Sequence, residues 1–283
     1  MSTAIKLIAL DLDGTLLMPD KSLSEGNKRA LKRAVEEEGA AVTLATGRAY
    51  GLVKPILDEA PFIRYAVLSN GAVAADAEGN VLFRKVLTGE QALEIFDYIF
   101  KIFPDIDKEV DFFENGVRIV GAGWAEYIKR MNIDEGTRKL LEKSHLVEDQ
   151  RAYLKKSEGV EKISARFLSA DDKNRVFKVL EERFTDFQIC SSLDCNIEIT
   201  CRGITKSLGL QKLTEHLGIG MDEVIAFGDK GNDYEMIRDC GIGVAMGNAE
   251  PEVKLLADRI TKSNVEDGVA RMLEEVFEWQ QVL

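Results

Sequence analysis

The chain has 283 residues, of which 45% are hydrophobic, and its formal net charge is −12. This length and hydrophobic content suffice for one large or two ordinary domains with a substantial core. An acidic chain without a long basic run is not expected to bind nucleic acid. Asp11 and Asp13 interrupt the apolar N-terminal stretch, and later apolar runs are far shorter than a bilayer requires. We therefore expect neither a signal peptide nor a membrane-spanning segment.

Cysteine and histidine usage argues against zinc and against a disulfide framework. The sequence contains four cysteines and two histidines, and no two cysteines have the C-x-x-C spacing. Free thiols of a cytoplasmic protein are the expected state.

Short apolar strands alternate with helices from residue 5 to about 72, and a small antiparallel hairpin is predicted at 73–75 and 81–86. Residues 5–10 are almost continuously apolar, as in a strand buried on both faces, and similar strands are predicted at 40–45 and 65–69. Ser24 is a candidate N-cap for the first intervening helix. This β-α-β-α-β order predicts an α/β fold, with a parallel sheet covered by helices on both faces.

The pattern changes between residues 86 and 199, where hairpins and isolated helices replace the alternation. Thr88 and Gln91 form a capping-box pattern, and Asn115-Gly116 is a strong signal for a two-residue hairpin turn. The elements predicted here are a helix to about 103, a hairpin at 110–114 and 117–120, a helix at 124–143, a strand at 163–168, a helix at 171–183, and strands at 187–191 and 197–200. Residues 86–199 are therefore predicted to form an inserted α+β domain.

The first pattern returns near residue 200, so 1–85 and 200–283 are predicted to form one core domain. Its later elements are a helix at 207–217, a strand at 224–227, a helix ending at Cys240, a strand at 242–245 and a last helix from about 265.

Polar residues stand at or near the ends of predicted strands of the core, or just before a helix: Asp11, Asp13, Thr46, Lys206, Asp229, Asn232 and Asp233. The carboxyl ends of parallel strands share one edge of a sheet, so we expect these side chains to converge. Each alone is explained by a turn or a helix cap, but turn chemistry does not predict the ordered set. Four crowded carboxylates repel one another unless a cation neutralises them. Oxygen ligands without histidine or cysteine favour magnesium over zinc.

These stretches, taken in order, resemble the four motifs of the haloacid dehalogenase (HAD) superfamily. The matching residues are Asp11-Leu12-Asp13-Gly14-Thr15, Thr46-Gly47-Arg48, Lys206 and Gly228-Asp229-Lys230-Gly231-Asn232-Asp233. Ser69–Ala72, Ala245–Ala249 and residues 261–270 are similar to the Cof-type phosphatase branch. The resemblance implies a Rossmann-like core with a large α/β cap inserted at 86–199. Where the family commonly has glycine after the lysine, this chain has Ser207, which we expect to cap the following helix.

The resemblance also implies a role for each residue. Asp11 would be the nucleophile and Asp13 the general acid and base, with a pKa raised by the neighbouring carboxylates. Phosphate binding would fall to Leu12, Thr46, Gly47, Lys206 and Asn232, and a role for Arg48 in orienting the loop stays open. Magnesium would be held by the Asp11 side chain, the Asp13 carbonyl and Asp229, with Asp233 in support, either directly or through water.

The expected function is magnesium-dependent hydrolysis of a small phosphorylated metabolite through an aspartyl phosphate, with a sugar phosphate as the expected class. Two alternatives are a phosphomutase acting on a sugar phosphate and a non-catalytic phosphate-binding regulatory protein. The remaining expectations are a monomer or weak homo-oligomer and a cytoplasmic location.

Overall fold

The computed structural model describes residues 4–133, 135–191 and 195–279. Two compact units are formed, the first by the described residues of 1–48, 53–83 and 205–283, and the second by those of 49–52 and 84–204. The two ends of the predicted core, and residues 134 and 192–194 of the predicted insertion, lie outside the described residues.

The first unit is built on a mixed sheet, eight-stranded over the described residues. The strands are β1 (Leu7–Leu10), β2 (Ala41–Ala45), β3 (Tyr65–Leu68), β4 (Val73–Asp76), β5 (Val81–Arg84), β12 (Val224–Gly228), β13 (Ile242–Ala245) and β14 (Arg259–Ile260). Their order in the sheet is β14-β13-β12-β1-β2-β3-β4-β5. Pairing is parallel from β14 through β3, and β4 runs antiparallel to β3. The strand β1 lies centrally and is fully buried, which agrees with its apolar sequence.

The helices of this unit follow the strands. They are α1 (Glu25–Glu37), α2 (Tyr50–Glu59, whose first residues group with the second unit), α8 (Lys206–Leu217), α9 (Tyr234–Asp239), α10 (Pro251–Leu256) and α11 (Gly268–Val276). Ser24 is the N-cap of α1 as predicted, and its hydroxyl accepts a bond from the Asn27 N–H at 3.2 Å. The predicted α/β fold class is confirmed. The last helix begins at Gly268 rather than near 265, because residues 264–266 form a separate 3₁₀ turn.

The second unit holds a six-stranded sheet among the described residues, with the order β10-β11-β9-β6-β7-β8. The strands are β6 (Lys108–Glu114), β7 (Val117–Val120), β8 (His145–Leu146), β9 (Lys162–Phe167), β10 (Phe187–Cys190) and β11 (Asn196–Cys201). The helices are α3 (Gly89–Ile102), α4 (Trp124–Arg130), α5 (Glu135–Glu142), α6 (Gln150–Leu154) and α7 (Ala170–Arg183). Its core includes apolar side chains from the β6, β9 and β11 strands and from α3 and α7, so this unit has a hydrophobic core of its own.

Two local predictions for this unit are confirmed. Thr88 and Gln91 form the capping box that begins α3. Asn115 and Gly116 both have positive φ, at 50° and 76°, as the tight turn between β6 and β7 requires.

The prediction of one helix over 124–143 is wrong. The chain leaves the helical conformation at Met131, whose ψ is 136°, and resumes it in α5. The Arg138 guanidinium donates to the carbonyls of Ile128 and Met131, and so satisfies groups at the break. Apolar spacing that continues across both segments conceals this interruption in the sequence.

Candidate active site

The loop after β1 presents Asp11 at the end of the most central strand. The Asp11 side chain is 9% exposed, and its backbone N–H donates to the Phe227 carbonyl at 3.1 Å. Gly14 follows with φ of +93°, and a Cβ there would lie 2.3 Å from an Asp229 side-chain oxygen. A glycine is therefore required at 14, because it lets the Asp229 carboxylate approach the loop.

Lys206 begins α8 and links two of the carboxylates. Its Nζ donates to Asp11 Oδ1 at 2.6 Å and to Asp233 Oδ1 at 2.7 Å, and the lysine is 1% exposed. Burial opposes the charge on Lys206, but the negative charges of Asp11 and Asp233 prevail and raise its pKa. A buried cation is therefore fixed beside the candidate nucleophile.

The expected cap of α8 is corrected. Thr205 is the N-cap, and its hydroxyl accepts a bond from the Leu208 N–H at 3.1 Å. Ser207 lies inside the helix and donates instead to Asp239 Oδ2 at 2.6 Å. Lys206 is consequently the first helical residue rather than a residue before the helix. Serine and threonine are both favoured at the N-cap, serine slightly more, so the sequence favoured the residue that the structure does not use.

Asp11, Asp229 and Asp233 form a buried group with one carboxylate oxygen each, all within 4.8 Å of one another. Asp229 Oδ1 accepts a bond from the Thr15 hydroxyl at 2.9 Å. Asp233 Oδ2 accepts the N–H groups of Asp229 and Lys230 at 3.0 and 3.1 Å. The prediction that these three carboxylates converge agrees with this geometry.

Crowding of these carboxylates changes their acidity. Burial raises the pKa of Asp11 well above its usual value, with Asp233 and Asp229 adding to the effect and Lys206 opposing it. Burial and the Asp233 charge raise the pKa of Asp229 to about 6. A single ammonium therefore does not neutralise the group. An oxygen-only donor set with this residual repulsion fits a hard divalent cation such as Mg²⁺.

Asp13 lies in a different environment from the one predicted. The Arg48 guanidinium donates two hydrogen bonds to it, from Nε to Asp13 Oδ2 at 2.8 Å and from Nη2 to Asp13 Oδ1 at 2.7 Å. Lys21 Nζ donates to Oδ1 at 2.9 Å. Although burial opposes it, the Arg48 charge and its hydrogen bonds, with Lys21, lower the pKa of Asp13 to about 2. The expected rise in pKa is therefore wrong, because two cations rather than carboxylates contact this side chain.

Thr46 and Arg48 belong to the loop that follows β2. The Thr46 side chain is almost fully buried, and its hydroxyl oxygen accepts the Arg48 N–H at 3.2 Å. A hydroxyl that accepts this bond keeps its own proton for another acceptor. The backbone of Thr46 is fixed by bonds to Val67 and Asn70, so the loop is tied to β3.

Asn232 is held in place by Asn70, which follows β3. Its Nδ2 donates to Asn70 Oδ1 at 3.2 Å. Asn70 is buried with φ of 59°, a left-handed conformation that asparagine tolerates better than most residues. Sequence reasoning assigned no supporting role to Asn70, although its place after β3 is the same signal that singled out Thr46 after β2.

A second asparagine pair supports the loop after Asp11. Asn248 Nδ2 donates to the Gly14 carbonyl at 2.8 Å, and Asn264 Nδ2 donates to the Leu17 carbonyl at 2.8 Å. The Asn264 N–H donates to Asn248 Oδ1 at 3.0 Å, which connects the two. These contacts and the one from Lys21 were missed, because they join segments far apart in the sequence and depend on loop conformation.

Comparison with known proteins identifies the family. Residues 8–273 match the haloacid dehalogenase-like hydrolases. The chain belongs to this family. It is 32% identical to the 5-amino-6-(5-phospho-D-ribitylamino)uracil phosphatase YcsE of Bacillus subtilis, over 95% of this chain and 94% of that protein. It is 31% identical to the HMP-PP phosphatase of Klebsiella pneumoniae, over 88% and 86% of the two chains.

A solved structure shows the same fold. A haloacid dehalogenase-like hydrolase from B. subtilis superposes with a TM-score of 0.82 at 27% identity, and covers 96% of this chain and 100% of that one. The predicted HAD resemblance, of the Cof type, and the predicted enzyme class of phosphatase are confirmed by these relatives. Among the residues that the structure describes, no helix combines the length and apolar character that a bilayer crossing requires.

Proposed function

We propose that this protein hydrolyses the phosphate monoester of a small sugar or sugar-derived metabolite, with Mg²⁺, through an aspartyl phosphate. The observation that carries the proposal is the meeting of Asp11 with Lys206, Asp229 and Asp233 at the end of β1. A carboxylate nucleophile needs positive charge nearby to approach an anionic phosphoryl group, and Lys206 together with a dication held by these carboxylates would supply it.

In the first step an Asp11 oxygen attacks phosphorus, and the bond from phosphorus to the leaving oxygen breaks. The leaving oxygen takes a proton from Asp13 and departs as an alcohol. Lys206 and the Thr46 hydroxyl, with the backbone N–H groups of Leu12 and Gly47, stabilise the charge on the phosphoryl oxygens. Asn232, held by Asn70, adds a donor.

In the second step a water molecule gives a proton to Asp13 and attacks the aspartyl phosphate. The bond from phosphorus to Asp11 breaks, and inorganic phosphate and the free carboxylate are regenerated. The ionised Asp13 of this structure suits its role as the base here. For the first step, Asp13 must carry a proton when the leaving oxygen departs.

The residues that would hold Mg²⁺ are Asp11 and Asp229 through their carboxylates and Asp13 through its carbonyl, with Asp233 in support. The ion would neutralise negative charge between the nucleophile and the phosphoryl group. The raised pKa values of Asp11 and Asp229 support this assignment, because a bound dication would favour the ionised form of both groups.

Chelation tests the metal requirement and the function together. We expect the purified protein to release phosphate from sugar phosphates, from 5-amino-6-(5-phospho-D-ribitylamino)uracil or from aryl phosphates only when Mg²⁺ is present. Exhaustive EDTA treatment should stop this reaction, and added Mg²⁺ should restore it.

Asp229→Asn should raise the Mg²⁺ concentration for half-maximal rate by about tenfold or more, since it removes a direct ligand. Asp58→Asn, at an exposed surface carboxylate, is the matched control. Full activity after chelation would contradict the metal proposal. If none of about a hundred phosphorylated metabolites were hydrolysed with a kcat/KM on the order of 10⁴ M⁻¹s⁻¹ or above, and aryl phosphates released no phosphate, the proposed function would be contradicted.

We further propose that residues 86–199 form a cap that selects the leaving group. Support comes from the separate hydrophobic core of the second unit, and from the two connecting segments that join residues 86–199 to the rest of the chain. Lys85 Nζ donates to the Arg202 carbonyl at 2.9 Å, so the two connecting segments lie side by side. Such paired connections suit a hinge that absorbs backbone rotation.

Replacing residues 86–199 by a short Gly/Ser linker tests this role. We expect the remaining core to bind Mg²⁺ and to retain some aryl phosphatase activity, because the proposed catalytic residues lie outside the replaced segment. Discrimination among sugar phosphates should be largely lost. Solubility and circular dichroism establish first that the core is folded. A folded core with an unchanged ranking of substrates would show that 86–199 does not select them.

A further inference from the structure

The Asp13 carboxylate is held by two side chains that the catalytic scheme leaves without a role. Arg48 and Lys21 make three hydrogen bonds to it, two on Oδ1 and one on Oδ2. We propose that Arg48 and Lys21 are positioning residues, which orient Asp13 so that one lone-pair direction of Oδ2 exchanges the proton with the leaving oxygen and with water. This inference rests on the proposed function, because it assigns the acid and base role to Asp13.

The hydrogen bonds that the Asp13 carboxylate accepts show which of its two oxygens is open for proton exchange. A carboxylate has about four lone-pair directions, two on each oxygen. Nη2 of Arg48 and Nζ of Lys21 occupy both on Oδ1, and Nε of Arg48 occupies one on Oδ2. Among the contacts made by described residues, the second direction on Oδ2 is therefore the position at which a proton can be exchanged.

Arg48 is well suited to fix an orientation. Its guanidinium is planar and binds the carboxylate through two parallel bonds, which sets the plane of the carboxylate as well as its position. The Arg48 side chain is 9% exposed. Its backbone is tied to Thr46 and Ser69, since its N–H donates to the Thr46 hydroxyl and its carbonyl accepts the Ser69 N–H at 3.0 Å. The arginine thus links the orientation of Asp13 to the loop proposed to bind phosphate.

Lys21 reaches Asp13 from a tight turn. Its φ is +70°, its N–H donates to the Met18 carbonyl at 2.9 Å, and the Met18 N–H donates to the Ser22 carbonyl at 2.9 Å. Because one ammonium fixes only a point and not a plane, its contribution to the orientation should be smaller than that of Arg48.

The competing explanation is that Arg48 binds the phosphoryl group of the substrate. The two roles differ in how they depend on the leaving group. A sugar alkoxide needs protonation to depart, whereas p-nitrophenolate hardly does. A positioning residue for the acid therefore affects sugar phosphates selectively, and a phosphoryl ligand affects both esters equally, since the phosphoryl group is common to them.

The test compares kcat/KM, which reports on steps up to departure of the leaving group, for p-nitrophenyl phosphate and for a sugar phosphate that the unmodified protein hydrolyses. We expect Arg48→Ala to lower the value by about 100-fold for the sugar phosphate and by only a few-fold for the aryl ester. Asp13→Ala should show the same selectivity, and the double variant should lose no more than Asp13→Ala alone. Lys21→Ala should follow the same pattern with a smaller loss.

Variants and controls keep the outcome decisive. Arg48→Lys keeps the positive charge but not the two parallel hydrogen bonds of the guanidinium. It should therefore recover only part of the kcat/KM for the sugar phosphate that Arg48→Ala loses. Arg48→Gln replaces Arg48→Ala if the latter does not fold, and Arg271→Ala, at an exposed surface arginine, controls for loss of charge. Equal losses on both esters, or a double variant in which the losses multiply, would overturn the inference and leave the phosphatase function intact. Absence of hydrolysis by the unmodified protein would overturn the proposed function and this inference with it.

Discussion

Replacing Asp11 by asparagine is expected to lower turnover by at least about 10⁴-fold and to leave the fold intact. An amide cannot form the aspartyl phosphate, so the double-displacement route is closed. Steady-state phosphate release measures the loss. Trapping of labelled phosphate on the acid-quenched protein tests the same assignment directly: label should appear on the unmodified protein and not on Asp11→Asn.

The structure explains why this substitution should not harm folding. Asparagine is nearly isosteric, and its side-chain oxygen can still accept the bond from Lys206 Nζ. Removal of a buried charge also relieves repulsion with Asp229 and Asp233, which contribute to the raised pKa of Asp11. Without Mg²⁺ the melting temperature should therefore be unchanged or higher. Wild-type hydrolysis by a folded Asp11→Asn protein, with deamidation excluded by mass spectrometry, would refute the assignment.

The sequence predicted those features that depend on local pattern. The β1 strand and the carboxylate pair after it follow from a short apolar run that ends in polar residues, because parallel strands place their carboxyl ends at one edge. The Ser24 cap and the Asn115-Gly116 turn were equally predictable, since a helix cap or a tight turn is determined by a few neighbouring residues.

Features that depend on tertiary contact were not predictable in this way. The environment of Asp13 is determined by Arg48 and Lys21, and the conformation of the loop around Lys21 decides whether it reaches the carboxylate. The choice of Thr205 over Ser207 as a cap depends on where α8 begins, and that is linked to the contacts of Lys206 with Asp11 and Asp233. In both cases more than one local solution was available, and the packed site selected one.

Lys206→Met should have a large effect on both activity and stability. The lysine is fully buried and bonds to Asp11 and Asp233, so its loss leaves two buried carboxylates with weaker compensation. Breaking a buried ion pair by removal of one partner costs about 3–5 kcal/mol. Loss of a positive charge at the phosphoryl oxygens should in addition lower kcat by about 10³-fold, for aryl and sugar esters alike. Chemical denaturation without Mg²⁺ and steady-state kinetics with it measure the two effects.

Two further variants separate the structural from the catalytic part. Lys212→Met, on the same helix but paired with Glu215 at the surface, should change neither quantity by much. Adding Asp233→Asn to Lys206→Met removes one of the uncompensated charges, so it should recover part of the stability while activity stays low. Added Mg²⁺ should likewise narrow the stability difference, because a dication replaces the missing positive charge. A Lys206→Met protein as stable and as active as the unmodified protein would refute both the stabilising charge balance and the phosphate-binding role of Lys206. If adding Asp233→Asn to Lys206→Met restored activity together with stability, the role of the lysine would be to hold the site together and not to bind phosphate.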